Sequence, residues 1–225
     1  MVDKPHPAHS RPILYSYFRS SCAFRVRIAI NIKQIDCELK PINIHPDVHG
    51  QFDPSYLQIN PQARVPFFVD GDIQIAQSSA ILEYLEETYP EPPLLPHSAT
   101  EKAQVRQITN TIACDIQPLN NSSVLHELRK YNLQQVDIDN WYKHWISRGF
   151  LLLESTVKHY HQRGPFCMGE NFTMADIFLV PQVWNAHRFN VPMHDYPTLQ
   201  MIYEHCMQMT AVLAASPEKQ QDALY

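Results

Sequence analysis

The side chains best suited to chemistry gather in one short run, Arg19-Ser20-Ser21-Cys22, between a strand-like ILYSY at 13–17 and a helical stretch with Phe24, Ile28, Ile32 and Ile35 on one side and Arg27, Asn31 and Gln34 on its polar side. A helix start has amide donors without intrahelical partners and a partial positive charge, so it stabilises an anion such as a thiolate. Two sulfurs suit that place. Cys22 could be the nucleophile, made more acidic by the helix start and by Arg19 or Arg25. Alternatively, a ligand brings the thiol and Ser20 or Ser21 holds it ionised. The same residues also suit a plain helix start, with a serine as cap and Cys22 packed inward. The run by itself leaves all three open.

Other chemistries find little support. The five cysteines (Cys22, Cys37, Cys114, Cys167, Cys206) are scattered with no C-x-x-C pair, so no disulfide framework or zinc site is expected. Of the twelve histidines, His159 and His161 are two apart and point to different sides of a helix, while His6 and His9 fall in a stretch expected to fray. No metal site is predicted. Only five glycines are present, and no phosphate loop or dinucleotide fingerprint. A net charge of −5 offers no footprint for nucleic acid. No stretch reaches the roughly 18 apolar residues of a membrane span, and MVDKPHPAHSRP has no apolar run for a secretory signal, so the expected location is cytoplasmic.

The elements that must position the Ser-Ser-Cys run follow from periodicity. An extended stretch at 39–44 contains Pro41, which removes a ladder donor and so belongs on a sheet edge. After a polar loop, PFFV and DIQI flank Asp70-Gly71, a hairpin turn. Ile81, Leu82, Leu85 and Tyr89 then oppose Glu83, Glu86 and Glu87 on an amphipathic helix. The first ninety residues read βαβ followed by ββα. PEPPLLP at 90–96 continues neither helix nor strand and marks the domain boundary.

Beyond the boundary the spacing is helical: Val105, Ile108, Ile112, Ile116, Leu119; Ile138, Trp141, Trp145, Leu152; Leu199, Ile202, Tyr203, Cys206. Kinks or breaks are predicted at Pro118 and Pro181. Thr173 and Asp176 frame a capping box, which explains Asp176 without a substrate. The expected domains are residues 12–90, a linker at 91–97, and a helical domain at 98–215, with poor order from Ser216.

Through FRSSCAFRVRIA, NPQARVPFFVDG, AQSSAILEYLEETYPEPPLLP, CDIQPLNN, MADIFLVPQVWNAHRF and DYPTL, residues 12–210 resemble the zeta class of glutathione transferases. The resemblance implies an α/β thioredoxin-like domain binding glutathione, an all-α second domain, and a homodimer. It also implies a cofactor role for glutathione in cis–trans isomerisation of a small dicarboxylate. The first substrate it suggests is maleylacetoacetate, in phenylalanine and tyrosine breakdown, with maleylpyruvate and halogenated acids as alternatives. By the same resemblance Ser20, Ser21 and Cys22 are catalytic, and Val65, before a cis proline, pairs its backbone with the cysteinyl part of glutathione. Gln77 and Ser78 hold the γ-glutamyl carboxylate, Gln51 lies near the glycyl end, and Gln117, Asn121 and Ser123 complete the glutathione neighbourhood. Arg19 and Arg188 hold substrate carboxylates. Phe24 stands where the family commonly has Trp. After Asn120-Asn121 the chain has Ser122 and Ser123, whereas maleylpyruvate isomerases often carry Arg nearby, which favours maleylacetoacetate.

Overall fold

The computed structural model describes residues 11–160 and 164–224, so the expectations for His6, His9 and His161 fall outside it. Two compact units are present: the described residues up to Pro92 together with those from Ala211, and Pro93–Thr210.

The first unit opens with β1 (Ile13–Ser16), α1 (Ser21–Ile32) and β2 (Glu38–Pro41). A 3-10 turn at Gly50–Phe52 and a short α2 (Pro54–Ile59) follow, then β3 (Phe67–Asp70), β4 (Ile73–Ala76) and α3 (Ser78–Thr88). The mixed sheet has the order β2-β1-β3-β4, with β1 parallel to β2 and β3 antiparallel to both its neighbours. Pro41 lies on the edge strand, as its missing donor requires. Gly71 turns the hairpin at φ 58°.

Strand alternation divides β1 and β3 between two layers. Tyr15 and Phe67 pack with Tyr56 of α2, with the Tyr15 and Tyr56 rings 5.5 Å apart. Leu14 and Phe68 pair across the sheet, and Phe68 meets Tyr84 of α3 at 6.0 Å. The stretch read as a polar loop therefore contains a helix, whose one buried side chain, Tyr56, covers a sheet face. The Lys33 ammonium is buried between Glu86 at 2.8 Å and the carbonyls of Tyr89 at 2.6 Å and Pro92 at 3.0 Å. Glu86 thus leaves the solvent-facing set in which periodicity places it.

The second unit is helical: α4 (Ala99–Asn110), a π turn (Thr111–Ile116), a 3-10 turn (Gln117–Asn120), α5 (Ser122–Arg129), α6 (Gln135–Tyr160), α7 (Met174–Arg188) and α8 (Pro197–Cys206), with a 3-10 turn at Met193–Asp195 before α8. The break anticipated at Pro118 is present, whereas α7 runs through Pro181. On α6 the periodicity favours Ile138, Trp141, Trp145 and Leu152 as core. The structure buries Ile138 as expected but otherwise Tyr142, Ile146, Gly149, Phe150, Leu153 and Val157, an equally regular stripe, and leaves Leu152 58% exposed. Gly149 is required there: a Cβ would overlap the Ile116 side chain in the π turn. The capping box at Thr173 and Asp176 is formed.

Residues from Ala211 return to the first unit instead of closing the helical one or fraying. There α9 (Thr210–Ala215) is held by side chains of α1, and two 3-10 turns follow it, Pro217–Lys219 and Gln221–Leu224. Asn31 donates to the Ala211 carbonyl at 2.9 Å and Arg27 to that of Ala215 at 2.9 Å. Arg27, expected on a polar face, is only 2% exposed. Its hydrogen bonds to backbone carbonyls of distant sequence have no signature in local periodicity.

Candidate active site

The turn from β1 into α1 is built by a cap and a clamp. Ser20 adopts extended angles (φ −71°, ψ 113°), and its Oγ accepts the Ala23 amide at 3.2 Å. Its carbonyl takes the Phe24 amide at 2.8 Å. The amides of Ser21 and Cys22 then remain as the donors of the helix start, and no acidic residue occupies this first turn. The cap uses a lone pair of Ser20 and leaves its hydroxyl hydrogen available. Ahead of the cap, Arg27 donates to the carbonyls of Tyr17 (3.2 Å) and Phe18 (3.0 Å) and to Ser16 Oγ (3.0 Å), while Asp222 accepts the Phe18 amide at 3.0 Å. Sequence reasoning misses Arg27 and Asp222 as supports of this turn.

Cys22 is half-buried, and its Sγ accepts from Arg25 Nη1 at 3.8 Å. Of the two arginines considered as its neighbours, Arg25 is the one that reaches it, one helical turn on. The same Nη1 donates to Ser78 Oγ at 3.2 Å. Arg25 is 1% exposed, and burial lowers its proton affinity, opposed by the nearby Cys22. Arg19 lies over the Phe18 ring, 4.9 Å from its centroid, with a buried Nε that has no hydrogen-bond partner among the described residues.

Gln77 caps α3 at φ 74°, its side chain exposed, and Ser78 is buried in the first turn, which again holds no acid. The Val65–Pro66 bond is cis, as expected; Glu91–Pro92 is cis as well. Tyr56 Oη and Asn60 Nδ2 both donate to the Arg64 carbonyl, at 2.6 and 2.9 Å, and so fix the backbone entering Val65. Gln51 sits in its 3-10 turn with a buried Oε1 lacking a partner among the described residues.

In the second unit, Gln117 follows the π turn directly, a distortion that often marks functional positions. Asn121 caps α5, its Oδ1 accepting the amide (3.0 Å) and hydroxyl (2.9 Å) of exposed Ser123. Arg188 is exposed in the last turn of α7, its guanidinium over Phe189 at 5.1 Å and Trp184 at 5.9 Å. Asn120, absent from the sequence-derived set, buries an amide with no partner among the described residues. Asp176 accepts the amides of Cys167 and Thr173, both at 2.8 Å, and the Thr173 hydroxyl at 3.2 Å, so its role is structural. Among the described residues no cluster of His, Cys, Asp and Glu could hold a metal ion, and no helix is long and apolar enough to cross a membrane.

Comparison with known proteins places this arrangement. The family "Glutathione S-transferase, N-terminal domain" matches residues 14–93. A probable maleylacetoacetate isomerase of Vibrio cholerae is 42% identical over 212 residues, covering 94% of this chain and 98% of the relative. The maleylacetoacetate isomerase of Mus musculus is 43% identical over 212 residues, covering 94% and 95%. The holo structure of a bacterial maleyl pyruvate isomerase, a zeta-class transferase, superposes with a TM-score of 0.90 at 35% identity, covering 94% and 99%. A maleylacetoacetate isomerase from Methylobacterium extorquens with bound malonate and glutathione gives 0.89 at 35% identity, covering 94% and 99%. The mixed sheet followed by a helical domain is the glutathione transferase fold. Within it, the chain belongs to the zeta-class glutathione transferase and maleylacetoacetate isomerase family. That membership supports isomerase activity of the maleylacetoacetate or maleylpyruvate kind.

Proposed function

We propose that this protein is a glutathione-dependent cis–trans isomerase converting maleylacetoacetate to fumarylacetoacetate. The observation that carries the reading is the start of α1: a serine cap, two free-facing helix amides by position, a thiol, and no competing acid. The residues suit glutathione, because the orphaned Gln51 Oε1 and Arg19 Nε and the acid-free starts of α1 and α3 offer polar groups to a peptide with a thiol and carboxylates.

Glutathione, when bound, supplies a thiol sulfur whose reversible addition makes the cis double bond single and free to rotate. The chain's own residues bind, orient and ionise. Ser20 or Ser21 donates a hydroxyl hydrogen to the sulfur, and the α1 amides and helix dipole favour its anionic form. The Val65 backbone aligns the cysteinyl portion. Gln77 and Ser78 hold the γ-glutamyl carboxylate at the start of α3, Gln51 lies by the glycyl end, and Gln117, Asn121 and Ser123 complete the set. Arg19 and Arg188 are assigned to substrate carboxylates, for which a planar guanidinium offers paired donors.

The test is ultraviolet absorbance with maleylacetoacetate, with and without glutathione, coupled to fumarylacetoacetase so that only the trans product is consumed. Glutathione-dependent consumption is expected; none despite glutathione binding overturns the assignment. The second reading is maleylpyruvate as substrate, favoured by the 0.90 TM-score to a maleyl pyruvate isomerase and opposed by Ser122 and Ser123. Running both substrates in parallel separates the two.

A further inference from the structure

A buried guanidinium connects the starts of α1 and α3 in the first unit. Arg25 Nη1 lies 3.2 Å from Ser78 Oγ and 3.8 Å from Cys22 Sγ, across 53 and 3 residues of sequence. Ser78 is itself buried, 6% exposed, in the first turn of α3. A guanidinium has donors and no acceptor, so in this contact the Ser78 oxygen must accept. Its single hydroxyl hydrogen is then directed elsewhere. Serine hydroxyls near helix starts otherwise tend to hydrogen-bond local backbone groups, which would spend that hydrogen internally. Neither the α1 nor the α3 first turn contains an acid to absorb the donors gathered there.

We propose that Arg25 is a positioning residue that sets Ser78 as a hydrogen-bond donor toward a carboxylate. The proposal rests on the reading that Gln77 and Ser78 hold the γ-glutamyl carboxylate of glutathione. Arg25 itself touches no ligand in this scheme. It supplies a hydrogen bond that occupies one lone pair of the Ser78 oxygen and narrows the positions open to its hydrogen, and so part of the cost of ordering that hydroxyl is met before the ligand arrives.

Isothermal titration of the full chain with glutathione, and with cysteinylglycine, which lacks the γ-glutamyl group, tests this. Arg25→Met should weaken glutathione binding at least about ten-fold, or about 1.4 kcal/mol, and leave cysteinylglycine binding unchanged. Ser78→Ala should do the same, and the double variant should bind no worse than either single one, because both remove one oriented hydroxyl. Arg25→Lys keeps a buried donor cation and should recover part of the loss; it also carries the test if Arg25→Met does not fold, as judged by circular dichroism. Additive losses, or equal losses for both ligands, would overturn the proposal while leaving the glutathione site intact. Failure of the unmodified protein to bind glutathione would overturn the site reading, and the proposal with it.

Discussion

Asp176 offers the sharpest test of how the helical unit is held. Its two carboxylate oxygens serve different partners: Oδ1 takes the Cys167 amide, and Oδ2 takes the amide and hydroxyl of Thr173. Asp176→Asn preserves the shape but keeps one acceptor oxygen, so in either orientation an amide group confronts a backbone N–H. Both threatened donors belong to buried residues, Cys167 at 0% and Thr173 at 3% exposure. A stranded buried donor costs about 1–3 kcal/mol, and a bond to a charged acceptor contributes about 1.5–3. Burial also pushes the Asp176 carboxyl above its ordinary range, and the neutral amide escapes that penalty. The balance is about 2 kcal/mol for Asn. Asp176→Ala, stranding both amides, should lose about 3–5 kcal/mol, and Thr173→Ala about 0.5–2 kcal/mol. All three tryptophans (Trp141, Trp145, Trp184) lie in this unit, so their fluorescence during urea unfolding reports on it. With a urea slope of about 2 kcal/mol per molar, the Asn variant should lower the midpoint by about 1 M. An unchanged midpoint for Asp176→Asn, or a larger shift for Thr173→Ala, would refute the reasoning.

In the isomerase assay, Ser20→Ala or Ser21→Ala should lose far more activity than Cys22→Ala, and the loss should shrink as rising pH ionises glutathione unaided; the reverse order makes Cys22 the nucleophile. Arg27→Met removes four hydrogen bonds and should cost about 2–4 kcal/mol. It should also expose residues 211–224 to limited proteolysis, which an unaltered cleavage pattern would contradict. Brief maleimide treatment of the native protein, read by mass spectrometry, should label exposed Cys114 and spare buried Cys167 and Cys206. Burial raises the Cys37 thiol from 9.0 to about 12. The unfolded chain therefore loses that proton first, so stability present below about pH 9 declines as pH rises toward about 12. A Cys37→Ala variant with the same alkaline decline would count against that assignment.

What the sequence makes legible follows from signals that are local. The βαβ–ββα order, the edge position of Pro41, the Asp70-Gly71 turn and the Thr173 capping box each depend on a few neighbouring residues, whereas the cis bond before Pro66 is expected only through the family resemblance. What it hides depends on distant ones. Arg27 reads as polar because its carbonyl partners at Tyr17, Phe18 and Ala215 cannot be inferred from spacing. Two regular stripes compete on α6, and packing selects the one with Tyr142 and Gly149, since only glycine lets Ile116 approach. At the site, the Ser-Ser-Cys run is visible, and the three-residue step from Cys22 to Arg25 hints at their contact. The Arg25–Ser78 bond spans 53 residues, and no periodicity announces it.

The clamp on the β1–α1 turn also has an order in time. Tyr17 and Phe18 are held by Arg27 and Asp222, and Arg27 reaches Ala215 as well. During synthesis the stretch from 211 onward emerges only after all of residues 93–210. The helical unit therefore has its whole sequence outside the ribosome before Asp222 and Ala215 can add their bonds to the turn. The unit begun first is completed last: until then the Ser-Ser-Cys corner has its serine cap and the local bonds of Arg27 but lacks the Asp222 and Ala215 contacts, the interval in which folding helpers or misfolding would act on this chain.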